Sequence, residues 1–382
     1  MNIKKITSVT SAFIICLTMS GCSKIKGEDI DVAAKLAVVT ETKNEDEVGF
    51  ESAEYISNTY KQKNATGLSN DIVEHIVLPE NFADKKAETE KIMNSIKEDK
   101  ELKAVVFTEK NSGMMEYIKD LKKERKDIIT LSADMNASDK ELIENIDLNY
   151  VSAKGDNMDD TVQLAKEMGA EAFIAYYTDE DMKSKDRKEG FRTLEEECEE
   201  QQIELVKVNI QSGSDKYAMR KFISEDINKQ IEKYGNDINL YGTNPDIDEV
   251  ILKRGIKNKL IIAEVSDKCM MQELSEMFRI YRRSWDRGNY RGSSKYISDR
   301  TVKYEMNRRL GGIIMPDNIF TVYAATDIAL ALIEGGLDVE SAYNSYFIER
   351  NINEKEGITA GFENVIEGVP SLKSVSVDQI IY

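Results

Sequence analysis

The residues of this sequence that could do chemistry are mostly carboxylates, hydroxyls and amides. His75 is the only histidine and lies in the strand-like segment VEHIVLP, so a histidine metal cluster or a Ser–His–Asp triad is disfavoured. The motifs GxSxG, HExxH and GxxxxGK do not occur. Carboxylate pairs can hydrolyse glycosides, but any acidic chain offers such pairs. The residue types therefore favour binding over catalysis, and no cofactor or metal is expected.

Short apolar runs alternate with amphipathic segments of helical period, and this alternation predicts parallel sheets with helices on both faces. The chain of 382 residues is too long for one core, so we expect an α/β protein of two domains with about five strands each. The most apolar helix, Asn318–Glu334, is expected to pack back into the first sheet. The predicted strands are 36–40, 75–79, 104–108, 128–132, 149–153, 172–178, 203–208, 238–243, 260–265 and 312–315.

A return of the chain to the first sheet makes the domains discontinuous. We expect a first lobe of residues 35–154 plus 317–336 and a second lobe of residues 155–316 plus 337–382. The lobes would close about a hinge. The expected hinge segments are Ala153–Asp156, Met315–Asn318 and Gly335–Asp338.

Ligands of open α/β sheets bind beyond the carboxyl ends of the strands, and this rule selects the candidate binding residues. In the first lobe they are Thr40, Glu41, Thr42, Glu109, Lys110, Asn111, Asp134 and Asn136. In the second lobe they are Tyr177, Thr178, Asp179, Asn244, Glu264 and Ser266, and the hinge adds Asp156 and Asp317.

Each of these side chains has an alternative role, because Asp and Asn after strands are frequent helix N-caps and turn formers. Tyr176 and Tyr177 alternate along a strand, so one is expected in the core and the other towards the cleft. The excess of acids favours a polyol or a cationic ligand, although Lys110 and the helix N-termini act in the opposite direction.

The charge of the chain disfavours nucleic acid as a partner. Acidic residues outnumber basic ones 70 to 52, giving a net charge of −18, whereas DNA and RNA binding needs clustered cations. One basic segment, Tyr281–Lys295, departs from this balance. It is either a solvated charged surface or a contact for a partner or an anionic group.

The N-terminus has the parts of a secretory signal: MNIKK, an apolar run over Ile6–Met19, and small residues before Cys22. MSGC resembles the bacterial lipobox, which implies cleavage after residue 21, a lipid on Cys22 and a tether over residues 22–34. The alternative is an uncleaved anchor helix. Both place the protein at the extracytoplasmic face of a membrane. Cys198 and Cys269 could pair, but their spacing does not decide it.

Three segments resemble the type I periplasmic-binding-protein fold, which sugar-binding proteins of ABC transporters share with the effector domains of LacI-type repressors. They are DRKEGFRTLEEECEEQQIELVKV (Asp186–Val208), YGTNPDIDEVILKRGIKN (Tyr241–Asn258) and IIMPD (Ile313–Asp317). The chain also resembles uncharacterised clostridial-type, Gram-positive lipoproteins, some described as transcriptional regulators. The resemblance implies two Rossmann-like lobes joined by a multi-strand hinge.

The resemblance also implies particular ligand contacts. These are Asp134, either Lys185 or Arg187, and Asn244. Met315 stands where the sugar-binding proteins carry a polar residue, which argues against a simple sugar. The residues between Cys22 and Leu36 leave no room for the helix-turn-helix domain of a repressor.

Three functions are compatible with these features. The first is a solute-binding lipoprotein that delivers a small ligand to an ABC-type importer. The second is a ligand-sensing lipoprotein that signals to a membrane partner. The third is a surface enzyme that uses paired carboxylates. A neighbouring permease gene would separate the first two, and a turnover assay would identify the third.

Overall fold

The computed structural model describes residues 35–63, 69–153, 158–211, 215–264, 273–279, 290–313, 315–356 and 358–382. The first part of the chain alternates strands and helices. Its elements are β1 (Lys35–Thr40), α1 (Glu47–Tyr60), β2 (Lys61–Lys63), β3 (Ser69–Asp71), β4 (Val73–Val77), α2 (Lys86–Glu98), β5 (Leu102–Phe107), α3 (Met114–Glu124), β6 (Ile129–Ala133), α4 (Asp139–Asn145) and β7 (Leu148–Ser152).

The same alternation continues through the second lobe and the return of the chain. The second lobe contains α5 (Met158–Glu167), β8 (Ala172–Thr178), α6 (Lys185–Glu200), β9 (Glu204–Ile210), α7 (Lys216–Tyr234), β10 (Ile238–Gly242), α8 (Pro245–Asn258), α9 (Leu274–Phe278), α10 (Tyr290–Lys303) and β11 (Gly311–Ile313). The chain ends with α11 (Asp317–Gly335), α12 (Ser345–Glu356), β12 (Ala360–Asn364), β13 (Leu372–Val377) and β14 (Gln379–Ile381).

The first sheet has the strand order β12-β13-β7-β6-β5-β1-β4. All neighbours are parallel except the antiparallel pair β12–β13. Successive residues of β1 point to opposite faces. Leu36 and Val38 pack in the cluster that contains α11, whereas Ala37 and Val39 pack with α2, α3 and α4. Both faces of the sheet are therefore buried, as the apolar strand sequences predict.

The second sheet has the parallel order β10-β8-β9, with helices on both faces. Isolated parallel bridges, Asn239–Ile261 and Ile262–Leu310, continue it towards β11, which pairs with β14 in antiparallel fashion. The predicted strand over 260–265 is therefore reduced to two bridging residues in the part that is described. The two lobes confirm the fold class expected from the resemblance.

Helix α11 confirms the prediction that the most apolar helix packs into the first sheet. It contacts β1, β5, β6, β7 and β13. Among the described residues it is the one helix long and apolar enough to span a membrane, but 72% of its apolar window is buried inside the protein. We therefore interpret it as a core helix. Its C-cap is Gly336, whose φ of +59° is the left-handed conformation typical of helix ends.

The C-terminal segment departs from the predicted domain boundaries. We expected residues 337–382 in the second lobe, but β13 pairs with β7, and β12 pairs with β13. The pairing extends the first sheet because β7 would otherwise present an open edge. The residues that pair with the second lobe are those of β14.

The hinge changes accordingly. The chain crosses between the lobes after β7, between β11 and α11, and between β13 and β14. The predicted hinge segment Gly335–Asp338 is not a crossing, because it lies at the end of α11 within the first lobe. The third crossing is instead at Asp378, between β13 and β14.

Gly311 of β11 tests the packing of the second lobe. An added Cβ would lie 2.6 Å from the carbonyl oxygen of Ala263 and 2.6 Å from Leu164 Cδ2. We expect Gly311→Ala to lower the free energy of unfolding by about 1–3 kcal/mol, because the backbone must shift to accept the methyl group. Gly361→Ala is the matched control, since nothing lies within 4 Å of its Cβ. Urea unfolding measures both; equal stability of the two variants would contradict this account of the packing.

Candidate functional site

Each sheet reverses its strand order at one strand, and ligand sites of such sheets lie at this switch point. In the first sheet β1 lies between β4 and β5, so the switch point faces Glu41 and Glu109. In the second sheet β8 lies between β9 and β10, so the switch point faces Thr178 and Thr243.

Both switch points lie at the hinge side of their lobes. The chain leaves the first sheet at the carboxyl ends of β7 and β13, and it leaves the second at the carboxyl end of β11. Asp317 reinforces this arrangement, because its Oδ1 accepts a hydrogen bond of 2.8 Å from the Val377 amide at the end of β13. Glu264 accepts hydrogen bonds from Thr161 and from Gln379 Nε2 at 3.3 Å, which ties α5 to β14.

Glu41 anchors the loop that follows β5. Its buried carboxylate accepts hydrogen bonds from the amides of Lys110 (2.9 Å) and Asn111 (3.2 Å) and from Asn111 Nδ2 (2.5 Å). Thr40 donates from Oγ1 to the Glu41 carbonyl at 2.9 Å, and Thr42 donates to Glu45 at 2.7 Å. The acceptors of Glu41 are therefore occupied by the protein itself.

Glu109 has the opposite environment. It is 1% exposed, and neither carboxyl oxygen has a hydrogen-bond partner on another described residue. Burial raises the pKa of Glu109 well above its usual value, and the negative charges of Glu41 and Asp46 raise it further. A buried acceptor without a donor is costly, which makes this carboxyl group a candidate for ligand binding.

Asp46 is the N-cap of α1. Its Oδ1 accepts the Gly49 amide at 3.0 Å, while the buried Oδ2 has no partner among the described residues. Burial raises the pKa of Asp46, as do the charges of Glu41 and Asp134. A Cβ on Gly49 would lie 2.1 Å from Asp46 Oδ2, so only glycine fits against this carboxylate.

Asp134 connects three elements of the first lobe. Its carboxylate accepts hydrogen bonds from the Ser152 amide (2.6 Å), from the Ser152 hydroxyl and from Thr321 Oγ1 (3.4 Å). Its carbonyl accepts a hydrogen bond of 2.7 Å from Lys110 Nζ. The amide of the exposed Asn136 donates to the Glu109 carbonyl at 3.1 Å. These contacts bring β5, β6, β7 and α11 together at the first switch point.

Asp181 organises the second switch point. Its Oδ2 accepts hydrogen bonds from the amide and hydroxyl of Thr178 (3.0 and 2.8 Å), from Thr243 Oγ1 (2.6 Å) and from Asn244 Nδ2 (2.9 Å). Burial opposes its ionisation, but the hydrogen bonds from Thr243, Thr178 and Asn244 outweigh it and lower the pKa. Oδ1 has no described partner, so an ionised carboxylate presents one open acceptor here.

The remaining predicted residues of the second lobe surround Asp181 or lie on the surface. Asn244 caps α8, as the alternative interpretation anticipated, because its Oδ1 accepts two amides at 3.1 Å. Tyr176 is fully buried and Tyr177 is half-buried against Phe191. Arg187 is half-buried and donates to the Tyr241 hydroxyl at 3.5 Å.

Two predicted positions on this side are exposed. They are Asp179, which accepts a 2.8 Å hydrogen bond from Asn209, and Lys185, in the first turn of α6. Ser266 and Asp156 lie outside the described residues. So do Cys22 and Cys269, whereas Cys198 is buried with a free thiol.

Three site residues were not among the residues predicted from the sequence: Asp46, Asp181 and Thr243. Asp46 and Asp181 lie several residues after a strand, in the acidic runs NEDE and TDED, where any of the carboxylates could face the site. Thr243 directly follows β10 and could have been found by the same strand-end rule that selected Asn244. Across the described ranges, no group of three His, Cys, Asp or Glu side chains could hold a metal ion.

The chain belongs to the family described as "Protein of unknown function (DUF3798)", whose profile matches residues 34–311. A solved structure from Clostridium difficile 630, described as a "Putative transcriptional regulator", is 30% identical, with a TM-score of 0.75. The match covers 91% of this chain and 99% of that one.

Weaker structural matches exist. A sugar ABC transporter protein from Actinomyces odontolyticus has 8% identity and a TM-score of 0.43, covering 80% of this chain and 86% of that one. A solute-binding protein from Clostridium phytofermentas, with bound L-rhamnose, has 8% identity and a TM-score of 0.36, covering 91% and 96%. A search of curated proteins found no match.

The raised pKa of Glu109 predicts a pH-dependent effect of its removal. The folded protein binds this proton more tightly than the unfolded chain, whose carboxyl titrates near 4.5, so the stability contribution of Glu109 falls as pH rises through its folded pKa. Because glutamine does not ionise, the Glu109→Gln variant does not lose stability in this way as pH rises. We expect the variant to gain stability relative to the parent protein between about pH 5 and about pH 8. Thermal unfolding at the two pH values measures the stability of both proteins. A stability difference between variant and parent that is the same at both pH values would contradict the raised pKa of Glu109.

Proposed function

We propose that this protein is an extracytoplasmic solute-binding lipoprotein that closes two lobes on a small ligand and delivers it to an ABC-type importer. The observation that carries the proposal is that carboxyl oxygens at the switch points of both sheets have no hydrogen-bond partner among the described residues. Glu109 and Asp46 supply them in the first lobe, and Asp181 Oδ1 supplies one in the second. A ligand held by both sets would join the lobes.

The donors around Asp181 explain how the second lobe would hold a ligand. Its Oδ2 is fixed by four hydrogen bonds from two loops, so Oδ1 has a defined direction before any ligand arrives. Such preorganisation reduces the entropy lost on binding. The ligand that fits an ionised acceptor carries hydroxyl or ammonium groups, since both donate hydrogen bonds.

The crossings suggest how the lobes would move. Three single-chain segments link the lobes, and two of them are short: Asp378 alone lies between β13 and β14, and three residues separate β11 from α11. Short parallel connections allow a rigid-body rotation and prevent free tumbling. Closure would bring the two carboxyl edges together over the ligand.

Ligand screening by thermal shift tests the binding role. From a panel of sugars, nucleosides, amino acids and polyamines, we expect at least one compound to raise the melting temperature, because a ligand that binds only the folded state stabilises it. Asp181→Asn should lower the affinity for that compound at least about tenfold, since one acceptor loses its charge.

The matched control for this experiment is Asp299→Asn. Asp299 is an exposed carboxylate of α10 that pairs with Lys295. Its replacement by asparagine should leave ligand binding unchanged. A panel without any stabilising compound would refute the binding role, and equal ligand affinity in Asp181→Asn and the parent protein would refute the assignment of Asp181 to the site.

Membrane attachment has a separate test. We expect Cys22→Ala to move the protein from the membrane fraction to the soluble fraction, because the thiol that would carry the lipid is gone. Its melting temperature and ligand affinity should equal those of the parent protein. Retention in the membrane fraction after Cys22→Ala would exclude a lipid on this cysteine.

A further inference from the structure

The first switch point carries more negative charge than its own cations neutralise. The negative charges of Glu41 and Asp46 act on Glu109, and those of Glu41 and Asp134 act on Asp46. Lys110 is the one cation that contributes to both Glu109 and Asp46. One ammonium group therefore faces four carboxyl groups.

Lys110 does not form an ion pair with any of these carboxylates in the described structure. Its Nζ donates to the backbone carbonyl of Asp134 at 2.7 Å, and its amide donates to Glu41. The lysine thus offsets part of the negative charge without donating to Glu109 or to Asp46 Oδ2.

The carboxylates of this cluster divide into two kinds. Glu41 and Asp134 accept several hydrogen bonds and hold loops in place. Glu109 and Asp46 are 1% and 6% exposed, and three of their four carboxyl oxygens accept nothing from other described residues. A structural role would fill these acceptors, as it does in Glu41, because burial without donors destabilises the fold.

We propose that the first-lobe site takes the cationic end of its ligand, a primary ammonium or guanidinium group, on Glu109 and Asp46. This inference rests on the proposed binding function and names its ligand class. A cation both donates hydrogen bonds and offsets the surplus charge, whereas a neutral hydroxyl only donates. The half-buried Lys110 and the exposed Asn111 follow Glu109 in the loop after β5.

Binding of a cation has a proton signature. Burial and the charges of Glu41 and Asp46 raise the pKa of Glu109, which favours the protonated form of this carboxyl group in the empty site. A ligand cation favours the carboxylate, so the O–H bond breaks, the proton passes to the buffer and the ligand N–H groups donate to the carboxylate oxygens. Affinity should therefore rise with pH for an amine and stay constant for a neutral ligand.

Matched pairs of compounds provide the test. The pairs are putrescine against 1,4-butanediol and glucosamine against glucose, with agmatine as the guanidinium probe, each measured by thermal shift and calorimetry. We expect a cationic compound to bind at least about tenfold more tightly than its neutral partner. Calorimetry in phosphate and in MOPS, which differ in ionisation enthalpy, should reveal proton release on binding.

Glu109→Gln separates the buried carboxyl group from general electrostatics. The variant keeps the shape of the side chain but has no carboxyl proton to release. We expect binding of an amine to release no proton and the affinity for the amine to fall at least about tenfold. Glu144→Gln, which removes an exposed carboxylate of α4, should lose neither. Unchanged proton release in Glu109→Gln overturns the role of Glu109, and so does amine affinity in the parent protein that does not change with pH.

The outcomes distinguish this inference from the proposed function. If the neutral members of the pairs bind as tightly as the amines, the cation site is refuted and solute binding stands. If no compound of the pairs or of the wider panel binds, both are refuted.

Discussion

The parallel arrangement of the strands is the constraint on which the rest of the structure depends. It places all carboxyl ends of a sheet at one edge, and the three crossings between the lobes start from that same edge in both sheets. Polar residues after β1, β5, β8 and β10 therefore collect at two switch points beside the hinge. No single motif creates the site, because it results from strand order and from the side of the sheet at which the chain changes lobes.

Within this arrangement the carboxyl groups have two roles, and Asp181 combines both because its Oδ2 holds loops while its Oδ1 has no described partner. Glu41, Asp134 and Asp181 accept hydrogen bonds from neighbouring loops, so their charge fixes the backbone around the site. Glu109 and Asp46 occupy the same edge with acceptors left open. A chain selected only for stability would replace such groups by apolar or hydrogen-bonded ones, because buried unpaired acceptors cost about 1–3 kcal/mol each. The unpaired acceptors of Glu109 and Asp46 support the proposed role in binding.

The sequence predicted the features that depend on local periodicity. The apolar runs predicted the alternation of strands and helices in both lobes and the apolar helix α11. The ends of these runs predicted the strand-end positions of Glu41 and Glu109. The hairpin β12–β13 was not predicted, because AGFEN and LKSVSV alternate polar and apolar residues only weakly, and their place in the first sheet depends on a distant edge at β7. The third crossing at Asp378 was missed for the same reason.

Side-chain roles were harder to predict than positions. The sequence selected Glu41 and Glu109 as equivalent candidates, yet one is fully hydrogen-bonded and the other is not. That difference arises from the path of the loop after β5, which turns its amides towards Glu41. Burial and partner choice are tertiary properties, so no strand-end rule separates the two residues.

A crystal structure with the most stabilising compound from the ligand panel tests the central claim most directly. The account predicts the compound between the carboxyl edges of the two sheets, with hydrogen bonds to Glu109 or Asp46 in the first lobe and to Asp181 Oδ1 in the second. A compound bound elsewhere on the protein, or bound at this edge without contact to any of these three carboxyl groups, would contradict it.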